Sequence, residues 1–374
     1  MLEKNINLSG KRVLVTGAGG FIGSNLCMEL LREYSDIKIL GLDSMNDYYD
    51  VGIKVDRLKK IAGMLDLSGK SLGEYGLPDS LSGEEKLSFV KGNLADKELI
   101  DKIFAEFKPE VVVNLAAQAG VRYSIDNPYA YVESNLIGFC NILEACRHSY
   151  DAKSDSYQGV EHLVYASSSS VYGANKKIPF STDDKVDNPV SLYAATKKSN
   201  ELLAHSYSKI YGIPSTGLRF FTVYGPAGRP DMAYFGFTNK LVKGEGIKIF
   251  NYGNCKRDFT FVDDIVEGIV NVMQVAPAEN ENGVKYMVYN IGNNDPVNLL
   301  DFVDILQQEL IRAGVLPEDY DFEAHKELVP MQPGDVEVTY ADVTPLSNDF
   351  GFKPSTPLRD GLRKFAEWYK EYYK

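Results

Sequence analysis

The sequence predicts an α/β protein, a doubly wound parallel sheet with a smaller, interleaved α/β domain on its C-terminal side. Three observations carry this prediction. A strand, a glycine-rich turn, a helix and a second strand follow one another over residues 11–43. Short apolar runs then alternate with helical patterns as far as Pro226, as parallel strands joined by crossover helices require. Beyond Pro226, glycine, proline and aromatic residues mix with short helices, which marks a different unit.

Lys11-Arg12-Val13-Leu14-Val15-Thr16 reads as the first buried strand, and Asn25-Leu26-Cys27-Met28-Glu29-Leu30-Leu31 lies in the helix after the glycines. Residues 37–43 form the second strand. Further strands are expected at 87–90, 111–115, 162–166 and 216–219, with helical patterns between them. Residues 62–86 gather Gly, Ser, Asp and Glu around Gly73, Gly76 and Pro78, and read as a surface insertion. Residues 151–159 form a smaller one. A helix at 263–273 and a strand at 287–291 return the chain to the first sheet. The expected domains are therefore 1–225 with 258–292, and 226–257 with 293–374.

Composition removes several classes of function. With 40 basic and 52 acidic residues the formal charge is −12, which argues against non-specific binding to nucleic acid or to an anionic membrane. Local basic residues can still meet a small anionic ligand. Cys27, Cys140, Cys146 and Cys255 show no CxxC spacing and the chain has four histidines, so neither a metal site nor a disulfide framework is expected. The start of the chain has no apolar stretch of signal-peptide type, and no run approaches the roughly 18 apolar residues of a membrane span. A cytoplasmic location is expected.

Gly17-Ala18-Gly19-Gly20-Phe21-Ile22-Gly23 places glycines at GxxGxxG spacing between a strand and a helix. Glycine permits the tight turn and close backbone approach, and the helix N-terminus then faces a pyrophosphate. Asp43 ends the second strand, where a carboxylate accepts both adenosine ribose hydroxyls and repels a 2′-phosphate. No arginine follows it in Ser44-Met45-Asn46-Asp47. A Rossmann-type site for NAD rather than NADP is predicted, with Gly17, Gly20, Phe21, Ile22, Gly23, Asp43 and Asn46 as its contacts.

Tyrosine and lysine at i and i+4 share one helix face, and an ammonium beside a phenol favours the phenolate a general base needs. Four such pairs occur: Tyr34/Lys38, Tyr172/Lys176, Tyr193/Lys197 and Tyr252/Lys256. The first spans a helix-to-strand connection, and the second and fourth fall among loop glycines. Tyr193-Ala194-Ala195-Thr196-Lys197 opens a credible helix, with Asn188-Pro189 and Ser191 as start signals, and follows a serine cluster at a strand end. That cluster is Tyr165-Ala166-Ser167-Ser168-Ser169-Ser170-Val171-Tyr172-Gly173.

With Ile22 at the third glycine position of GxGxxG, the loop resembles that of the extended short-chain dehydrogenases/reductases. Asn114-Leu115-Ala116-Ala117 is similar to the strand end by which that branch contacts NAD, with Ala116 and Ala117 as contacts and Asn135 as a bracing helix position. Gly92-Asn93-Leu94 stands where the branch has Gly-Asp-[Ile/Leu], so Asn93 offers an amide where a carboxylate meets adenine. The resemblance makes Ser168 the catalytic hydroxyl, Tyr193 base and acid in turn, and Lys197 the group that lowers the Tyr193 pKa and holds the nicotinamide ribose.

The resemblance narrows to UDP-glucuronate 4-epimerases through Ala117-Gln118-Ala119-Gly120-Val121-Arg122-Tyr123-Ser124, Arg219-Phe220-Phe221-Thr222-Val223-Tyr224-Gly225-Pro226, Gly228-Arg229-Pro230-Asp231-Met232-Ala233, Arg257-Asp258-Phe259-Thr260-Phe261-Val262-Asp263-Asp264 and Met331-Gln332-Pro333-Gly334-Asp335-Val336. It implies a UDP-uronic acid substrate, with Ser169, Ser170 and Thr222 holding the carboxylate against decarboxylation. Arg229 and Arg257 suit the two phosphates. Gln332 and Asp335 are assigned to phosphate and uridine ribose, and Arg122 either lies near the carboxylate or is structural. A homodimer paired through two helices, 98–107 or 134–147 with 192–210, is also implied.

The alternatives differ at named positions. Sugar-nucleotide 4,6-dehydratases carry Asp-Glu before Val-Tyr-Gly, and UDP-glucuronate decarboxylases carry Glu at the position of Ser170. UDP-glucose 4-epimerases have asparagine at that of Thr222, so a neutral sugar stays open. A non-catalytic NAD-binding sensor of the same fold is the reading from another class.

Overall fold

The computed structural model describes residues 1–331 and 337–373. Gln332 and Asp335, assigned above to the substrate, lie outside the described residues.

Strand β1 (Arg12–Thr16) leads through the glycine turn into helix α1 (Phe21–Glu33), and β2 (Lys38–Asp43) follows. Helix α2 (Val51–Ala62), β3 (Leu87–Lys91), α3 (Lys97–Glu106) and β4 (Val111–Asn114) complete the first half. Two short helices, α4 (Tyr123–Asp126) and α5 (Pro128–Tyr131), run into a π-helical turn at Val132–Ile137 and then into α6 (Gly138–Ser149). Next come β5 (His162–Ser168), α7 (Leu192–Tyr211) and β6 (Ser215–Phe220).

Beyond β6 lie β7 (Thr222–Tyr224), α8 (Ala233–Val242), β8 (Ile247–Ile249), β9 (Lys256–Phe261), α9 (Val262–Met273), β10 (Tyr286–Ile291), β11 (Pro296–Asn298) and α10 (Leu299–Arg312). The chain closes with β12 (Lys326–Leu328), β13 (Val338–Thr339), α11 (Thr344–Phe350) and α12 (Leu358–Tyr373).

Seven strands form one parallel sheet in the order β10-β6-β5-β4-β1-β2-β3, which is the expected doubly wound architecture. The pleat explains why these strands are apolar throughout. Val13 and Val15 face one layer with Leu26 and Leu30 of α1 and Ile265 and Ile269 of α9. Leu14 faces the other, with Ile100 and Ile103 of α3 and Ile142 and Leu143 of α6. The strand order reverses between β1 and β4, so a crevice opens at their carboxyl ends, where open α/β sheets bind ligands.

A smaller sheet gathers β7, β11 and β13 around β9, and β8 pairs with β12. Phe259 of β9 stacks on Phe302 of α10 at 4.3 Å, fixing helix to sheet. The large sheet takes its last strand, β10, from beyond β9 of the smaller sheet.

The segment between α2 and β3 has a structural task. Leu77 is buried, Tyr75 packs edge-on to Phe89 at 5.5 Å, and the Phe89 amide donates to the Pro78 carbonyl at 2.7 Å. It thereby covers part of the free edge of β3, the outermost strand on that side. No helix among the described residues is long and apolar enough to cross a membrane.

Candidate active site

A cavity of about 980 Å³ opens where β1, β2, β4, β5 and β6 end. Its first wall is the glycine turn. Gly17 has a φ of 72°, and its amide donates to the Leu42 carbonyl at 2.7 Å. A Cβ on Gly23 would stand 2.2 Å from the Gly17 carbonyl oxygen, so only glycine lets α1 start this close to the strand. Gly20 caps α1 without a side-chain bond, and no acidic residue occupies the first turn. The helix therefore presents free amides and a positive dipole end to an anion.

Asp43 closes the far end of this wall. Its carboxylate accepts from the Gly19 amide at 3.1 Å and the Met45 amide at 2.8 Å. Lys54 of α2 lies 3.8 Å from it, nearly buried, and donates to the backbone and side-chain oxygens of Asn46 at 2.9 Å each. Burial pushes the Lys54 pKa down and Asp43 pulls it back up. A ribose diol recognised by a carboxylate, next to an anion site on a helix start, fits a dinucleotide.

The middle wall is held from behind. Thr16 donates to Asn114 at 2.7 Å and accepts from the Ala116 amide at 3.1 Å, which fixes Ala116 and Ala117 along the crevice. Asn135 sits outside the lining and pairs both ways with the backbone of Gln118, at 2.8 and 3.1 Å. Its amide also reaches Thr196 at 3.1 Å, between Tyr193 and Lys197. The π-helical turn thus ties this wall to α7. Asn93 and Leu94 line the cavity, and the Asn93 amide donates to Glu133 at 3.0 Å.

Tyr193 and Lys197 stand on the first turn and a half of α7. Ser191 caps this helix by accepting from the Ala194 amide at 3.1 Å, as the start signals require. Tyr193 and Ser168 both line the cavity. Burial raises the Tyr193 pKa, while Ser168 and the Arg229 charge lower it and Asp231 raises it. Lys197 is buried, which pushes its pKa down to about 8, and it donates to the Ala166 carbonyl at 2.9 Å. Lys197 enters the same cavity from the same helix as Tyr193.

Ser169, Ser170, Thr222 and Arg122 also line the cavity. Arg229 forms a two-pronged pair with Asp231 at 3.0 and 2.5 Å, and Tyr48 reaches Asp231 at 3.2 Å. Arg122 lies over the Phe250 ring at 5.9 Å. Arg257 is not among the described lining residues; it donates to the Lys256 and Glu337 carbonyls at 3.0 and 3.1 Å, close in sequence to residues 332–336. Sequence reasoning missed Tyr48, Lys54, Lys240 and Lys248, all in the lining. A helical i, i+3 spacing of Lys54 and Arg57 was a visible signal for one of them.

Comparisons with known proteins agree with this geometry. The sequence is 47% identical to Protein CapI of Staphylococcus aureus, over 97% of this chain and 99% of that one. It is 42% identical to UDP-glucuronate 4-epimerase 2 of Arabidopsis thaliana, over 98% of this chain and 77% of that one. The fold is similar to UDP-glucuronic acid 4-epimerase from Bacillus cereus, solved with UDP-glucuronic acid and NAD. The TM-score is 0.77 at 29% identity, covering 97% of this chain and all of that one. UDP-glucose 4-epimerase from Thermotoga maritima, solved with UDP-glucose, gives 0.75 at 25% identity, over 97% of this chain and 100% of that one. The NAD dependent epimerase/dehydratase family matches residues 13–292, and the chain belongs to that family.

Proposed function

We propose that this enzyme interconverts UDP-glucuronate and UDP-galacturonate by inverting C4 through a 4-keto intermediate. One observation carries the reading: the cavity wall beside Tyr193 is built of hydroxyls. Ser168, Ser169, Ser170 and Thr222 line it. The carboxylates among the described lining residues are Asp43, at the ribose end, and Asp231, occupied by Arg229 and Tyr48. An elimination at C5 needs a carboxylate base facing the sugar, and the described lining offers no further carboxylate beside Ser168, Ser169 and Ser170; Glu201, bonded to Ser167, is not part of that lining.

The glycine turn, Asp43 and Ala116–Ala117 would hold NAD, which would supply reversible hydride transfer at C4. Tyr193 takes the proton of the C4 hydroxyl and later gives it back, with Ser168 bonded to the same oxygen. Lys197 supports the phenolate and holds the nicotinamide ribose. A C4 ketone stands beta to the C6 carboxylate, and such acids lose carbon dioxide when the C5–C6 bond aligns with the carbonyl π system. Ser169, Ser170 and Thr222 hold the carboxylate out of that alignment. Arg229 and Arg257 take the diphosphate, with Gln332 and Asp335 on phosphate and uridine ribose, so that the nucleotide stays anchored while the sugar turns over; Arg122 either lies near the carboxylate or is structural.

A homodimer paired through residues 134–147 and α7 is part of the proposal, supported by Ile137, Leu202 and Ile210, which are 48, 60 and 65% exposed in the single chain. The proposed setting is the cytoplasm, with UDP-galacturonate as a building block for surface polysaccharide. The test is product identification by NMR after incubating purified protein with UDP-glucuronate and no added NAD. UDP-galacturonate supports the reading. UDP-xylose would assign decarboxylation instead, and no turnover would favour a sensor.

A further inference from the structure

Arg57 of α2 is a buried cation, 1% exposed, with no carboxylate within ion-pair distance among the described residues. All of its hydrogen bonds run to oxygens of neutral groups. Its Nη1 donates to the Gly19 carbonyl at 3.0 Å and the Tyr49 hydroxyl at 2.7 Å. Its Nε and Nη2 donate to the Ala227 carbonyl at 2.9 and 2.7 Å, and Nη2 also donates to the Gly228 carbonyl at 3.0 Å. The Gly19 peptide belongs to the glycine turn and is held on its other side by Asp43. Ala227 and Gly228 immediately precede Arg229, on the sugar side of the cavity. One guanidinium therefore grips both loops by their backbones.

We propose that Arg57 is a positioning residue that makes binding of the dinucleotide and binding of the nucleotide-sugar depend on each other. The inference rests on the reading of the cavity given above. The charge of Arg57 is compensated by carbonyl dipoles drawn from both loops at once. Moving either loop strands donors of a cation that water cannot reach, so the two loops are ordered together. A ligand that orders the glycine turn also orders the backbone ahead of Arg229, and the second ligand meets a loop already in place. Such coupling is reciprocal between the two sites. Lysine cannot replace this arrangement, because its single ammonium cannot span four acceptors in a fork.

The test follows exchange of protein-bound NAD for isotopically labelled NAD in the holoenzyme, with and without saturating UDP, while calorimetry measures UDP binding directly. In the unaltered protein UDP is expected to slow exchange about tenfold, within the usual range of coupling between sites. In Arg57→Lys and Arg57→Gln the effect of UDP should fall below about twofold although both ligands still bind. Tyr49→Phe, which withdraws one acceptor and leaves the charge, should give an intermediate effect and supplies the comparison if the Arg57 variants do not fold. An undiminished UDP effect in a folded variant, or no UDP effect in the unaltered protein, would overturn the role of Arg57. Failure of UDP to bind the unaltered protein at all would instead overturn the reading of the cavity.

Discussion

Glu201 and Arg219 form a bidentate ion pair behind the serine loop, at 2.8 and 2.9 Å, with their side chains 2 and 3% exposed. Ser167 donates to Glu201 at 2.7 Å, and Arg219 continues to the Tyr172 hydroxyl at 3.0 Å. Tyr172 in turn donates to Asn290 of β10 at 2.6 Å. Burial works against the Glu201 carboxylate, and Arg219 with Ser167 more than offsets it, holding its pKa below the ordinary value. The pair is the rigid back of the loop that carries Ser168, Ser169 and Ser170.

Glu201→Gln is expected to destabilise the protein by about 3–5 kcal/mol, because it leaves the Arg219 charge buried without its partner. Replacing both residues by apolar ones of similar volume should cost much less. Urea unfolding of the single and double variants compares the two. Equal losses would show that the pair is not acting as an ion pair.

Lys197 gives the stability a pH dependence of known sign. Its pKa is about 8 in the folded protein against an ordinary 10.5, so between these values the unfolded chain binds more protons. Stability from this group therefore rises with pH across that window, by on the order of 3 kcal/mol. In Lys197→Met the rise should vanish, along with turnover. Unfolding measured from pH 7 to 10.5 on both proteins checks this.

Tyr193 should set the acidic limb of the rate. The base works as a phenolate, so turnover rises as pH passes its pKa. Arg229→Gln removes a charge that lowers that pKa and should move the limb up by about one pH unit. Asp231→Asn should move it the other way. Tyr193→Phe should nearly abolish turnover while leaving NAD bound. The pH profile of kcat at saturating UDP-glucuronate reads each shift.

Removing the Ser170 or Thr222 hydroxyl should change the product rather than only the rate. Ser170→Ala and Thr222→Val are expected to release a decarboxylated UDP-4-keto-pentose several-fold more often per turnover. Product ratios by NMR decide. An unchanged ratio would take the carboxylate away from these side chains.

That the glycine turn, Asp43, Tyr193 and Lys197 would meet in one cavity was legible because each rests on local chemistry. Glycine spacing, a strand end and the Ser191 cap are all written within a few residues of the feature they define. The Arg57 clamp was not legible. Its acceptors at Ala227 and Gly228 come from a loop 170 residues away and are backbone carbonyls, which every residue type carries equally. The same holds for Lys54, whose surroundings form only when α2 packs beside β2. The expected influence of Lys197 on Tyr193 followed from their helical spacing. Spacing places both side chains on one face; the Ala166 carbonyl that accepts from the ammonium lies 31 residues away and carried no local signal.

The polar stretch that joins α2 to β3 bears on handling as much as on architecture. With Pro78 taking up the Phe89 amide, part of the flank of the large sheet is closed to a neighbour's backbone. Shortening this stretch to a tight linker would leave that flank adhesive, and the shortened enzyme should precipitate at concentrations the full chain tolerates. Residues without a part in the chemistry would then prove to be what keeps it in solution.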